Sequence, residues 1–133
     1  MRKRTLLISA LAAFIAVTVI LILSSRPDAR FDGDRISDPG RFVLRFERMN
    51  KTDSEAMALA EGDALRVSWQ IESGHVDIKI GMEGEVAVYQ ADDRTAGDEA
   101  DFCVEIPRAG TYTITVAARE AKGQIEFLKA KNE

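Results

Sequence analysis

The chain has 133 residues, 46% of them hydrophobic and 30% charged, and this length is enough for one domain of ordinary globular composition. Residues 1–25 hold three basic residues and no acid, which leaves 15 basic and 22 acidic residues, a formal charge of −7, for the rest. Such an acidic domain lacks the excess of Lys and Arg that contacts to phosphate require. We therefore expect no nucleic-acid partner.

The N-terminal segment, residues 1–25, is typical of a signal anchor. It contains an uncharged run of 18 residues, 6–23, and a helix over residues 5–25 would be about 31 Å long, close to the thickness of a hydrocarbon core. Three basic residues precede the run, which favours a cytoplasmic N-terminus. We expect a single-pass protein of the cell membrane whose contact with the bilayer is residues 5–25 and whose remaining residues lie outside the cytoplasm.

A cleaved signal peptide is the alternative for the same segment. Its hydrophobic part is usually shorter than this run and is followed by an Ala-x-Ala cleavage site. The best approximation to such a site here is Ile22 and Ser24. If cleavage occurs, the protein is secreted.

Residues 26–40 are charged, contain two Pro and two Gly and show no apolar period, which predicts a juxtamembrane linker. Over residues 41–133, apolar residues alternate with polar ones, the pattern of half-buried antiparallel strands. The residues predicted to face the core are Phe42, Leu44, Phe46, Leu65, Val67, Trp69, Ile71, Val76, Ile78, Ile80, Phe102, Val104, Ile106, Tyr112, Ile114, Val116, Ile125 and Phe127. We predict an all-β, antiparallel β-sandwich of about seven or eight strands for this extracytoplasmic domain.

Two local features of the β domain carry further expectations. The dipeptide Ser73-Gly74 predicts a two-residue hairpin turn, which would place Ile71 opposite Val76. The segment around Met57 fits either a short strand or a helical turn.

Residues 101–118 read Asp-Phe-Cys-Val-Glu-Ile-Pro-Arg-Ala-Gly-Thr-Tyr-Thr-Ile-Thr-Val-Ala-Ala. This strand–Pro–Gly-x-Tyr–strand segment resembles the end of Golgi-dynamics (GOLD) domains and of the pre-peptidase C-terminal domains of secreted proteases. The whole layout is similar to that of small uncharacterised bacterial membrane-anchored or secreted β-sandwich proteins. The resemblance implies a sandwich outside the cytoplasm with a binding or accessory role. It also implies that Tyr112 anchors its strand through a hydroxyl–backbone bond, as in a tyrosine corner.

One acidic segment is a weak candidate for a calcium site. Its carboxylates are Asp92, Asp93, Asp98, Glu99 and Asp101. Calcium is bound by several oxygen ligands, which clustered carboxylates on a loop can supply. The spacing does not match the Asp-x-Asp-x-Asp-Gly loop and Arg94 interrupts it, so a solvated acidic loop is the alternative. We expect no bound metal or cofactor.

Three further features have surface roles in the predicted sandwich. His75, the only histidine, would be an exposed turn residue facing Glu72. Cys103 is the only cysteine, which excludes an intrachain disulfide. It falls on the predicted outer face, where a disulfide between two protomers is possible. Alternate threonines at 111–115 predict a ladder that strengthens the strand or forms a polar platform for glycans or peptides.

The sequence shows neither a nucleophile–base pair nor two carboxyl groups set in a cleft, so we do not expect an enzyme. The function that fits best is a non-catalytic binding or interaction module. Its partner would be another envelope protein or a cell-wall glycan. A calcium- or ligand-responsive envelope sensor and a secreted glycan-binding domain are the alternatives.

Overall fold

A computed structural model of the protein describes residues 30–130, which form seven strands and no helix. In chain order these are β1 (Phe31–Asp38), β2 (Arg41–Met49), β3 (Thr52–Leu59), β4 (Ala64–Gly81), β5 (Tyr89–Arg94), β6 (Glu99–Glu105) and β7 (Gly110–Ala130). All their pairings are antiparallel, so the predicted all-β class is confirmed for this range. The predicted transmembrane helix, residues 5–25, lies outside it, and the described range contains no helix able to cross a membrane.

Two long strands, β4 and β7, belong to both layers of the sandwich. They pair with each other from Ala64 opposite Ala130 to Gly81 opposite Thr113, and the register shifts on both sides of Ser73. At this bend the sheet folds over. The first layer has the strand order β1-β2-β7-β4-β6, and the second layer has the order β3-β7-β4-β5.

The predicted hairpin turn at Ser73-Gly74 is wrong, because β4 continues through these residues as one strand. Gly74 has a φ of 81°, and a Cβ at this position would collide with the carbonyl of Glu120 on β7. Glycine is therefore required where the two long strands bend together. A β-bulge adds an extra residue and so shifts the inward–outward alternation of the side chains, and a two-residue turn produces the same shift. The pattern on either side of Ser73 therefore fits both structures.

The inward-facing residues of the two layers form one hydrophobic core, which confirms the alternation predicted from sequence. All of the predicted core residues are buried except Phe102, which is half-buried. Phe42 stacks on Phe127 with ring centroids 5.8 Å apart. Met57 lies buried in β3, so the strand alternative for that segment is correct.

Residues 31–38, within the predicted linker 26–40, form strand β1 and pair with β2. This strand shows no apolar alternation because its residue opposite the buried Leu44 is Arg35, which forms an ion pair at the open edge of the sandwich. Arg35 Nε lies 2.7 Å from Asp53 Oδ2, and its Nη2 lies 2.8 Å from Glu55 Oε2. The guanidinium lowers the pKa of Glu55, and hydrogen bonding to Asp53 raises the pKa of Arg35. Arg35 thus joins the edge of the first layer to the edge of the second.

Tyr112 forms the predicted tyrosine corner at the start of β7. Its side chain is fully buried, and its hydroxyl donates a 2.7 Å hydrogen bond to the carbonyl oxygen of Arg108. The bond fixes the turn between β6 and β7 against the core.

Replacing Tyr112 by Phe should lower the free energy of unfolding by about 1 kcal/mol, since a part-buried hydrogen bond to the Arg108 carbonyl is lost. Urea denaturation followed by tryptophan fluorescence measures this change. Tyr89→Phe is the matched control, because the Tyr89 side chain is half-buried and no hydrogen bond of its hydroxyl to another described residue is present; its effect should stay within about 0.5 kcal/mol. Equal losses in the two variants would contradict the tyrosine corner.

Replacing Arg35 by Met should lower the free energy of unfolding at neutral pH by about 1–2 kcal/mol, because Asp53 and Glu55 lose their charged donor. The ion pair lowers the pKa of Glu55 in the folded protein. Its contribution to the free energy of unfolding is therefore fully present at pH values above the ordinary carboxyl pKa, and it is lost as the pH falls through the lowered pKa. The difference in unfolding free energy between wild type and Arg35→Met should therefore shrink on acidification.

Arg41→Met is the control for this pH series. Arg41 pairs with Asp38 at 3.2 Å, and both side chains are largely exposed. Exposed pairs contribute little, so this variant should follow the wild type at every pH. If the difference in unfolding free energy between wild type and Arg35→Met stays constant down to acidic pH, the role given to Glu55 is refuted.

Candidate ligand-binding site

The outer face of the first layer carries a shallow depression lined by polar side chains, which we call the polar groove. It consists of two adjoining parts of about 300 and 390 Å³, and both are lined by Gln70 and Gln124. The other side chains that matter for its chemistry are Asp34, Arg45, Ser68, Glu99, Asp101 and Glu126. The polar groove therefore extends over all five strands of the layer.

The strand register places five of these side chains in one row. Gln124 of β7 lies opposite Arg45 of β2 and Gln70 of β4. Asp34 of β1 continues the row beyond Arg45, and Glu99 of β6 continues it beyond Gln70. Neighbouring strands are about 4.8 Å apart, so the row is about 19 Å long. Such a row suits a ligand that lies extended across the strands.

The bend of the long strands fixes one side of the polar groove. Gln70 and Gln124 form the last outward-facing pair before the bend, and one further pair, Ile71 with Gly123, precedes the register shift. Gly123 has a φ of 156°, and a Cβ there would collide with the carbonyl of Gln70. The backbone beneath the groove is therefore held closely packed, and the two amides are presented from strands rather than from loops.

Ion pairs hold two of the groove carboxylates in place. Arg45 Nη2 lies 3.1 Å from Glu126 Oε1. Arg66 binds Asp101 through two hydrogen bonds of 2.9 and 2.7 Å, which lower the pKa of the Asp101 carboxyl. Asp34 and Glu99 have no ion-pair partner within residues 30–130, so the groove keeps free acceptors on both of its outer strands.

The two amides at the centre retain most of their hydrogen-bonding capacity. Gln124 Nε2 donates to Gln70 Oε1 at 3.4 Å. This bond leaves the amide donors of Gln70 and the amide oxygen of Gln124 available to a ligand. Beside them, Lys122 lies 3.1 Å from Glu47, and hydrogen bonding to that carboxylate raises the lysine pKa.

The five carboxylates predicted as weak calcium candidates are not gathered at one point. Glu99 and Asp101 line the polar groove, Asp92 and Asp93 lie in β5, and Asp98 accepts a hydrogen bond from the Thr95 N–H in the turn between β5 and β6. Within residues 30–130, no group of three or more His, Cys, Asp or Glu side chains has the arrangement of a metal site. The structure therefore separates these residues into different environments.

His75 does not face Glu72, as the hairpin prediction required. Its Nδ1 lies 2.6 Å from Asp93 on β5, and Arg119 binds Asp77 beside them at 3.0 Å. A hydrogen bond from the Asp93 backbone, followed by that from Arg119, lowers the pKa of Asp77. Asp77 is half-buried and the other three residues are exposed, and together they lie next to the bend of the long strands.

Cys103 and the threonine ladder both lie on outer faces of the sandwich, as predicted. Cys103 is exposed on the outer face of β6, as predicted, and pairs with Arg66 across the ladder. The threonine ladder lies on the outer face of the second layer, where Thr115 contacts Ser54 at 3.3 Å.

Two residues that line the polar groove, Gln124 and Glu126, were not singled out from the sequence. Alternation with Ile125 and Phe127 marks them as outward-facing. No local pattern shows that Gln70 is their neighbour, because the two segments are 54 residues apart.

Comparison with known proteins assigns no family to the chain. No family model matches the chain, and no curated protein does; the resemblance of residues 101–118 to GOLD and pre-peptidase domains is therefore without support from these comparisons. Among solved structures, the carbohydrate-binding module TmCBM61 in complex with β-1,4-galactotriose is 16% identical, with a TM-score of 0.44, over 71% of this chain and 66% of that one.

Two further solved structures are similar at the same low level. A carbohydrate-binding module from Cellvibrio mixtus lichenase 5A, in complex with cellotriose, is 10% identical with a TM-score of 0.44, covering 81% of this chain and 92% of that one. The cupin domain of Drosophila melanogaster CENP-C is 12% identical with a TM-score of 0.32, covering 74% and 71%. At these identities and TM-scores the likeness assigns neither a family nor a function to the chain.

Proposed function

We propose that this domain is a non-catalytic binding module that holds a glycan chain in the polar groove. The observation that carries the proposal is the row from Asp34 to Glu99, which presents carboxylate, guanidinium and amide groups side by side on five strands. Sugar hydroxyls both donate and accept hydrogen bonds, and the Gln70 and Gln124 amides do the same. The groove is open and shallow, so a polymer could lie along it and extend past both ends.

The groove is arranged for binding rather than for bond cleavage. A general acid in glycoside hydrolysis needs a raised pKa, whereas Arg66 lowers the pKa of Asp101. Glu126 is likewise engaged by Arg45. These ion pairs favour carboxylates that remain acceptors and keep a fixed position.

The groove lacks an exposed aromatic platform, since its two aromatic lining residues, Phe46 and Trp69, are each only 4% exposed. Affinity must therefore come from hydrogen bonds that replace bonds to water, and each such exchange contributes little. We expect a dissociation constant of about 0.1–1 mM for a single groove, roughly −4 to −5.5 kcal/mol.

We further propose that residues 5–25 hold this module at the outer surface of the cell membrane. The support is the uncharged run over residues 6–23 and the three basic residues that precede it. A glycan of the cell wall would then be the natural ligand. An envelope protein is the alternative partner.

The proposal is tested by titrating cellohexaose, chitohexaose and soluble peptidoglycan fragments into the full-length protein in detergent, with binding followed by calorimetry. The double variant Gln70→Ala/Gln124→Ala should weaken binding of whichever probe binds by about tenfold, the effect of losing roughly 1.4 kcal/mol. Both residues are outward-facing, so the thermal unfolding temperature should stay close to that of the wild type.

Thr113→Ala is the matched control, because Thr113 is exposed on the outer face of the second layer. It should bind like the wild type. Absence of binding to every probe, or equal affinity of the double variant and the wild type, would overturn the proposal and favour the envelope-protein alternative.

A further inference from the structure

The outer edge of β3 has no partner strand among the described residues. β3 pairs with β7 alone. At the start of this pairing the Ala118 N–H donates to the carbonyl of Lys51, so the odd-numbered residues of β3 are the ones that form hydrogen bonds with β7. Alternate residues of a strand direct their N–H and C=O groups to opposite sides. Ser54, Ala56 and Ala58 therefore direct theirs to the free edge.

Two long side chains occupy this edge where a strand would pair. Arg35 Nη2 donates to the Ser54 carbonyl at 3.3 Å, and Lys129 Nζ donates to the Ala58 carbonyl at 3.4 Å. Both distances exceed the usual N–H···O separation of about 2.9–3.0 Å. Ala56 lies between these contacts beside a crevice of about 470 Å³. The two side chains are therefore weak substitutes that backbone N–H groups can displace.

The outward-facing side chains of β3 between Ser54 and Ala58 carry no charge, unlike those of the other edge strands. The strands β1, β5 and β6 each expose aspartate, namely Asp34, Asp92 and Asp101. Exposed charge on an edge strand discourages addition of a strand from another molecule. The outward side chains of β3 in the same region are Ser54, Ala56 and Ala58, which are small and neutral.

We propose that β3 pairs antiparallel with β3 of a second copy of this chain, about a two-fold axis at Ala56. This register places Ala56 opposite its own copy and Ser54 opposite Ala58 of the partner. The Ser54 and Ala58 carbonyls, now bound by Arg35 and Lys129, would then accept hydrogen bonds from backbone N–H groups of the second copy. Ser54, Ala56 and Ala58 of the two copies would together form about six backbone hydrogen bonds. The second layers of the two copies would become one continuous sheet.

The charge distribution of β3 suits this register. Its two acidic residues point toward the inside, where Asp53 would lie opposite Leu59 and Glu55 opposite Met57, so no like charges meet. Both carboxylates stay neutralised by Arg35 of their own chain, which keeps its shorter bonds to them. The sequence of β3 is thus self-complementary, as a two-fold interface requires.

The test uses disulfide trapping of the full-length chain in membranes of the expressing cells, in a Cys103→Ser background. Ala56→Cys should form a disulfide-linked dimer under mild oxidation, because directly paired residues have Cα atoms about 5.5 Å apart, within the disulfide range. Ala58→Cys is the matched control, since its two copies would lie about 13 Å apart. The expected yield for Ala56→Cys is at least tenfold higher than for Ala58→Cys.

A second experiment separates pairing from random collision. Chains carrying Ser54→Cys and Ala58→Cys, with different tags, should form mixed dimers when expressed together. Adding Ala56→Pro to both should abolish them, because proline removes an outward N–H that the fold itself does not use. Equal trapping at positions 56 and 58, or trapping that survives Ala56→Pro, would each overturn the proposal.

Discussion

The pairing of β4 with β7 is the constraint on which the rest of the described structure depends. These two strands run through both layers, and every other strand except β1 pairs with one of them. They can bend together only because Gly74 and Gly123 allow their backbones to approach closely. A side chain at either position would push apart the two strands that carry both halves of the core.

The same bend explains where the candidate site lies. Gln70 and Gln124 are the last outward-facing pair of the first layer, one pair before the register shifts. Their amides therefore stand on closely packed backbone. Ion pairs from Arg45 and Arg66 then fix the carboxylates on either side. A ligand would meet a surface that is already ordered, which reduces the entropy lost on binding.

The sequence predicts those parts of the fold that follow from local periodicity. Alternation identified the core, and the Gly-x-Tyr segment identified the Tyr112 corner, because both are properties of a few consecutive residues. It failed at Ser73-Gly74, where a bulge and a turn produce the same alternation. It also failed at β1, whose inward residue is the ion-paired Arg35. The polar groove depends on registers between distant segments, which no local pattern contains.

The pairing proposed at β3 bears directly on the strength of the glycan binding proposed for the polar groove. A two-fold axis relating antiparallel edge strands is perpendicular to the shared sheet, so the two first layers would lie on the same side of it. Their polar grooves would then face the same direction, and one polymer could occupy both. Linked sites of this kind commonly gain a factor of about 10²–10⁴ in overall affinity without new contacts. A pair of grooves without exposed aromatic rings would thereby hold a long glycan that a single groove binds only weakly.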